Sequence, residues 1–146
     1  MATAISTLQN FIDGEFVDPA DGRTESVLNP ATGGVIARAP LSGAVDVDRA
    51  VSAAKAAYEE WCVTTPGERA GALLRLADAI EEHADELAEL ESDNAGKPIS
   101  AFRDDEIPFM ADNLRFFAGA ARCLGGRATG EYVRGYTSMI RREPVG

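Results

Sequence analysis

Three successive acids, Asp104 to Glu106, are the side chains in this sequence whose spacing best suits binding chemistry. They follow a Gly-Lys-Pro step, within a segment, residues 95–106, that joins two helical patterns. A run of carboxylates can attract a cationic ligand through long-range Coulomb forces. The same carboxylates can instead stabilise the positive end of a helix dipole. The residues alone leave both interpretations open, and helix capping is the simpler of the two.

Side chains that commonly act as nucleophiles, bases or metal ligands are sparse. Cys62 and Cys123 stand far apart without a Cys-x-x-Cys spacing, which is typical of reduced thiols in a cytosolic protein. A catalytic thiol needs a neighbouring base or a lowered pKa. The single histidine, His83, lies among acids within a predicted helix, so a solvated helix face is expected. No spacing fits a metal cluster, a P-loop or a Gly-rich dinucleotide loop.

The composition excludes some classes of function. A formal charge of −10 disfavours nucleic acid as a partner, because phosphate binding needs clustered Lys and Arg. No apolar run approaches the roughly 20 residues of a membrane span. Residues 1–10 lack the basic and apolar regions of a secretory signal, so a cytoplasmic location without membrane contact is expected.

The front of the chain predicts a small antiparallel β region. Asp13-Gly14 stands between apolar residues, which is a strong signal for a hairpin turn. A second strand pair, residues 25–28 and 35–38, is separated by turn chemistry in residues 29–34.

Three long helices follow in the predicted order. Ser42 is the candidate cap of the first. Thr65, Pro66 and Glu68 form the capping box of the second, which is expected to run about eight turns without interruption to Gly96. The third is predicted to begin near residues 104–106 and to end at Gly125-Gly126.

The last segment, residues 130–142, predicts a lone strand without an obvious partner. Such a strand exposes unpaired backbone groups and is an edge for assembly. Periodicity alone therefore favours an α+β class.

Four stretches in the right order together resemble the aldehyde dehydrogenase superfamily. They are residues 11–15 with 27–33, residues 87–98, residues 116–122 and residues 138–146. The amino-acid sequences of residues 105–108 and 116–122 are most similar to those of the aminobutyraldehyde and betaine-aldehyde branch. The resemblance covers essentially the whole chain and roughly the first third of such an enzyme.

The resemblance implies an α/β fold with front β hairpins, three long helices and a terminal oligomerisation strand. It implies that residues 1–124 are the N-terminal portion of an NAD(P)-binding domain and residues 125–146 the start of an oligomerisation arm. The catalytic domain is expected outside these 146 residues, so they hold no catalytic or cofactor-binding residue and are inactive alone. The full-length enzyme is expected to use NAD or NADP, to oxidise an amino- or trimethylammonio-aldehyde, and to be a homo-oligomer, a dimer or tetramer.

Three positions inherit possible roles from the resemblance. Glu106 matches an acid at the substrate entrance, whereas Phe109 replaces a second such acid. Leu28, through its backbone, and Asn94, through its side chain, match a site for structural K⁺ or Na⁺. Asn94 replaces an acid found in some relatives, so an ion would be held more weakly.

Two other interpretations remain open. The chain could be a non-catalytic remnant that acts as an assembly or binding module through its terminal strand. It could also be a truncated reading frame without a role of its own.

Overall fold

The computed structural model describes residues 5–145, apart from the side chains of Thr129 and Tyr132. Residues 1–4 of the segment considered as a possible signal, and Gly146 of the final Pro-Val-Gly, lie outside the described residues. The strands are β1 Ser6–Thr7, β2 Asn10–Ile12, β3 Glu15–Val17, β4 Thr24–Leu28, β5 Val35–Pro40, β6 Arg127–Val133 and β7 Tyr136–Ile140. The helices are α1 Ala44–Trp61, α2 Pro66–Glu82, α3 Ala84–Ala95 and α4 Ile107–Arg122, with a π-helical segment at Ala101–Glu106.

The predicted hairpin at Asp13-Gly14 is confirmed. Both turn residues have positive φ, 55° and 80°, which suits the right-handed twist of the two strands. Strands β2 and β3 pair antiparallel, and the rings of Phe11 and Phe16 face each other across them with centroids 5.1 Å apart.

The second predicted strand pair is also confirmed, as β4 and β5 around the turn at residues 29–34. The sequence did not predict β1, which adds a parallel third strand beside β5 through Ser6 and Thr7. Two residues are too few to show a period of two, and parallel pairing depends on distant parts of the chain.

Helix α1 is capped differently from the prediction. Ser42 is not the cap, because its Oγ donates to Asn10 Oδ1 at 2.9 Å. Gly43 is the N-cap residue, and its N–H donates to the buried Asp46 carboxylate at 3.0 Å. Asp46 also accepts from the Ala20 N–H at 2.9 Å. This carboxylate therefore fixes both the start of α1 and the loop after β3.

Helix α2 begins at the predicted capping box. Glu68 N–H donates to Thr65 Oγ1 at 3.3 Å, and Thr65 N–H donates to Glu68 Oε2 at 2.7 Å. The Thr65 N–H, and then the Thr65 hydroxyl at 2.8 Å, donate to the Glu68 carboxylate and lower its pKa.

The prediction of one uninterrupted helix from Pro66 to Gly96 is wrong. The helix breaks at His83, whose φ of −100° and ψ of 21° lie outside the helical region. His83 N–H still donates to Ala79 O, and Leu87 N–H donates to His83 O. Because both bonds survive, backbone hydrogen bonding continues on each side of the break between α2 and α3.

The core lies where α2 packs against α4. The buried residues of this interface are small, apart from Ile107, and small side chains let two helix backbones approach closely. They are Ala70, Ala77, Ile107, Ala111 and Ala118. At the rim, Arg115 donates to both Glu81 and Asp78 at 2.6–2.8 Å, which ties α4 to α2.

The prediction of a lone terminal strand is wrong, because β6 and β7 form an antiparallel hairpin. The reversal lies at Arg134-Gly135, where Gly135 has a φ of +85°. A glycine after a charged residue is a weak turn signal, so the sequence predicted one continuous strand over residues 130–142. Every described side chain of this hairpin is exposed.

Candidate functional site

The candidate site is the corner where α3 ends, the turn at residues 29–34 meets it, and the π-helical segment begins. Gly96 stops α3 in the left-handed conformation, with a φ of +72°, as predicted. Asn29 Nδ2 donates to Asp93 Oδ1 at 3.0 Å. A Cβ on Gly96 would lie 2.9 Å from Pro30 Cγ, so only glycine fits against that proline. These contacts fix the β4–β5 turn against the end of the helix.

The predicted start of the last helix near residues 104–106 is confirmed, because Glu106 is the N-cap residue of α4. The sequence did not predict the π turn that the three acids occupy. They lie inside the π-helical segment, Ala101–Glu106, and α4 begins at Ile107. Ile107 N–H donates to Phe102 O, five residues back. Pro108 gives the physical reason, since it has no N–H to offer the carbonyl four residues earlier and its ring crowds that carbonyl. Such π turns are frequent at functional sites.

Lys97 is the centre of the site, and sequence reasoning missed it. Its Nζ donates to Glu106 Oε2 at 2.6 Å and lies 3.2 Å from Glu91 Oε1. The ammonium also lies 4.9 Å from the centroid of the Phe102 ring, within cation–π range. The hydrogen bonds with Glu106, and then with Glu91, raise the pKa of Lys97. The sequence did contain a signal for this role. Lys97 is one of only two lysines in the chain, and it has an acid six residues before it and another nine residues after it.

The neighbouring acids differ in how far their charge is neutralised. Arg103 Nε donates to Asp104 Oδ1 at 2.8 Å, and this bond lowers the pKa of Asp104. Arg103 also lies 3.7 Å from Asp85. Asp105 is exposed and makes no ion pair within the part of the chain that the structure describes. Of the three predicted acids, Glu106 is therefore held by Lys97, Asp104 by Arg103, and Asp105 faces water.

The two residues predicted to hold an alkali cation lie at the same corner. The hydrogen bond between Asn29 and Asp93 joins the immediate neighbours of Leu28 and Asn94. Both are exposed, and Asn94 lines a largely apolar groove between the front sheet and α3. No group of three or more His, Cys, Asp or Glu residues among residues 5–145 is arranged to hold a metal. A site of backbone carbonyls and one amide uses different donors, so the alkali site stays a prediction.

The side chains set aside as catalytic candidates remain apart from one another. Cys62 is half-buried after α1, with Sγ 3.5 Å from Glu59 O, and Cys123 is exposed after α4. His83 Nδ1 lies 3.0 Å from Glu86 Oε2 on an exposed surface. Phe109, which replaces an expected acid, is exposed on α4. The structure therefore gives neither thiol a histidine base.

The elements described above form a segment of an α/β protein, and comparison with known proteins identifies the family. The sequence model of the aldehyde dehydrogenase family matches residues 16–146. The chain belongs to this family.

Three relatives illustrate the match. The aminoacetaldehyde dehydrogenase of Pseudomonas aeruginosa is 41% identical over 138 residues, which are 93% of this chain and 28% of that protein. The malonate-semialdehyde dehydrogenase 1 of Geobacillus thermodenitrificans is 38% identical over 146 residues, all of this chain and 30% of that protein. The NAD⁺ complex of the Bacillus cereus aldehyde dehydrogenase superposes with a TM-score of 0.88 at 39% identity, covering 95% of this chain and 28% of that one.

The chain thus spans less than a third of the length of these relatives and matches the N-terminal part of their fold. The expected α/β class is confirmed. No helix within residues 5–145 is both long and apolar enough to cross a membrane.

Proposed function

We propose that this chain is the N-terminal segment of an NAD(P)-dependent enzyme that oxidises an aldehyde to the carboxylic acid. The observation that supports this is the family match across residues 16–146, together with the likeness to a relative solved with NAD⁺. In this chemistry a cysteine thiolate adds to the aldehyde carbonyl, NAD(P)⁺ would serve as the hydride acceptor that leaves a thioester, and water then releases the carboxylic acid. Within the proposal, residues 1–124 belong to the NAD(P)-binding domain and residues 125–146 begin the oligomerisation arm.

The 146 residues alone are proposed to be inactive. Cys62 and Cys123 lack a base, and neither lies in the family's catalytic cysteine motif. The test is NADH formation from aldehyde and NAD⁺ by the purified chain, with Cys62→Ser/Cys123→Ser as the control. We expect no activity from either protein. NADH formation that disappears in the double variant would overturn the proposal.

The proposed substrate is an aldehyde with an amino or trimethylammonio group. The run of acids at residues 104–106 supports it, and exposed Asp105 supplies unneutralised negative charge. The names of the relatives indicate substrates of opposite charge, since aminoacetaldehyde is cationic and malonate semialdehyde is anionic. The measurement is kcat/KM of the enzyme containing this segment for aminobutyraldehyde and for butyraldehyde. A preference for the cationic aldehyde that falls with added salt is expected, and equal values would exclude the proposed substrate.

The structural alkali cation is proposed at Leu28 and Asn94. An amide oxygen binds a hard cation more weakly than a carboxylate does, so Asn94→Asp should strengthen the site. The test compares the melting temperature of the chain in potassium chloride and in choline chloride at equal ionic strength. A stabilisation by potassium that grows in Asn94→Asp is expected, and identical melting curves in both salts would exclude the site.

A second candidate function is assembly through the terminal hairpin. The favouring observation is the row of exposed apolar side chains there: Val133, Tyr136, Met139 and Ile140. The hairpin also has two outer edges without strand partners among the described residues, and such edges can pair with another chain. Light scattering decides this, since a monomer at all concentrations refutes assembly, whereas a dimer lost in Met139→Lys supports it.

A further inference from the structure

Lys97 connects α3 to both ends of the π-helical segment. Glu91 lies on α3, Phe102 lies near the start of the π-helical segment, and Glu106 is its last residue. The ammonium contacts all three, and the lysine side chain is 29% exposed. Its own backbone is fixed by left-handed Gly96 before it and by Pro98 after it. The lysine therefore joins α3 to the π-helical segment across a turn of restricted shape.

The contact with Glu106 also changes the charge that the loop presents. The carboxylate of Glu106 lies 2.6 Å from Nζ, so its field toward a ligand is largely cancelled by the ammonium. The other charged groups around this ammonium and this segment are Glu91, Arg103, Asp104, Asp105 and Asp85. Arg103 offsets Asp104 in the same manner, so Lys97 and Arg103 neutralise two of the three successive acids and leave the charge of Asp105 exposed.

We propose that Lys97 is a positioning residue that fixes the π-helical segment and masks Glu106, and so sets how strongly this loop attracts a cationic ligand. The structural part stands on the contacts of Lys97 alone. The part concerning ligands rests on the proposed function, because it assumes that the loop faces a cationic aldehyde. The two parts are tested by separate measurements.

The structural part is tested by NMR on the 146-residue chain. In the wild type, the Lys97 side-chain methylene signals should be shifted upfield by the Phe102 ring, and Phe102→Leu should remove that shift. Lys97→Met should move the amide signals of residues 101–106, and Lys97→Arg should largely restore them, because arginine keeps the charge. Lys55→Met, at an exposed position on α1, is the matched control and should leave these signals in place.

Two results would overturn the structural part. One is a Lys97→Met spectrum in which residues 101–106 are unchanged. The other is a Lys97→Arg spectrum as perturbed as that of Lys97→Met, since the charge would then have no role. If Lys97→Met does not fold, Glu106→Gln replaces it, and the Lys97 methylene signals should then lose their upfield shift as the tether is lost.

The ligand part uses tetramethylammonium chloride as a cationic probe and 3,3-dimethylbutan-1-ol as a neutral probe of similar bulk. Titration followed by amide shifts of residues 101–106 should show severalfold tighter binding of the cation to Lys97→Met than to wild type. The neutral probe should bind both proteins equally. Unchanged binding of the cation would overturn this part.

The enzyme containing this segment gives the second readout. Lys97→Met should lower KM for aminobutyraldehyde severalfold relative to KM for butyraldehyde, because only the cationic aldehyde responds to the unmasked carboxylate. A parallel change for both aldehydes would overturn the masking role. Absence of aldehyde oxidation in the wild-type enzyme would instead refute the proposed function, and the NMR results would still decide the structural part.

Discussion

The helical body, residues 66–122, and the terminal hairpin, residues 127–140, are built in opposite ways. The body buries small side chains between α2 and α4 around Ile107, which is 1% exposed. Its charged residues are paired across elements, as in the contacts of Arg115 and Lys97. In the hairpin every described side chain is exposed, and Met139 is 73% exposed.

The difference shows which part of the chain can hold itself together. Burial of apolar surface is the main favourable term in folding, and the body has it within these residues. An isolated two-stranded hairpin is marginally stable at best in water. The hairpin therefore depends on packing with something outside residues 5–145, or it opens at little cost in free energy.

The largest expected effect comes from truncating one isoleucine in each region. Ile107→Ala should lower the free energy of unfolding by about 3 kcal/mol, because it leaves a cavity in the core. Ile140→Ala should cost much less, about 1 kcal/mol at most, because Ile140 is already 59% exposed. Urea unfolding followed by circular dichroism measures both. Equal losses of unfolding free energy in the two variants would show that the body and the hairpin do not differ in packing.

Enlarging a buried alanine is expected to have the next largest effect. Ala77→Leu should lower the free energy of unfolding by about 1–3 kcal/mol, because the α2–α4 interface has no room for three more carbons. The control is Ala79→Leu on the exposed side of the same helix, which should lie within about 0.5 kcal/mol of wild type. A well-tolerated Ala77→Leu would show that the interface is loosely packed.

Each region contains a glycine in the left-handed backbone conformation, and substituting the two tests the same difference in packing. Gly96→Ala should cost about 1–2 kcal/mol for the backbone alone, and more because the new Cβ meets Pro30. Gly135→Ala has the same backbone problem, but no atom lies within 4 Å of its Cβ. Gly135→Ala should therefore speed hydrogen exchange of the β6 and β7 amides and leave the free energy of global unfolding unchanged. Restoration of Gly96→Ala stability by Pro30→Ala would isolate the contact, and an unimproved double variant would argue against it.

The smallest expected effect is a loss of stability at alkaline pH that belongs to the body alone. The pKa of Lys97 is raised above its ordinary 10.5, chiefly by the hydrogen bond to Glu106. The contribution of this lysine is therefore fully present below that value and is lost as pH rises through the raised pKa. Lys97→Met should remove part of the alkaline decline in melting temperature, whereas Lys55→Met should not. Identical declines in the two variants would contradict the assignment.

Local signals predicted the elements well. The hairpin turn at Asp13-Gly14, the box at Thr65 and Glu68, and the stop at Gly96 each depend on chemistry within four residues, and each is confirmed. The kink at His83, the pairing of β1 with β5 and the closure of the terminal hairpin depend on distant packing or on weak turn signals. A one-dimensional pattern cannot resolve them.

The candidate site shows the same limit. The sequence directs attention to the loop that contains Glu106, because three acids in succession are conspicuous. It does not show that Lys97 holds this carboxylate, since the distance between residues nine apart depends on the π turn. Pro108 lies in the first turn of α4, and its presence in the sequence does not by itself indicate a π turn before it.

The contact between Pro30 and Gly96 has a consequence for how sequences of this family can diverge. The two positions are 66 residues apart in the chain, yet the residue at position 30 limits what position 96 can hold. A lineage that replaces Gly96 by a residue with a side chain must first accept a smaller residue at position 30 and a changed turn after β4. The reverse order of mutation passes through a strained intermediate. Position 30 can therefore vary while Gly96 is kept, but an exchange of Gly96 should be found only with a smaller residue at position 30.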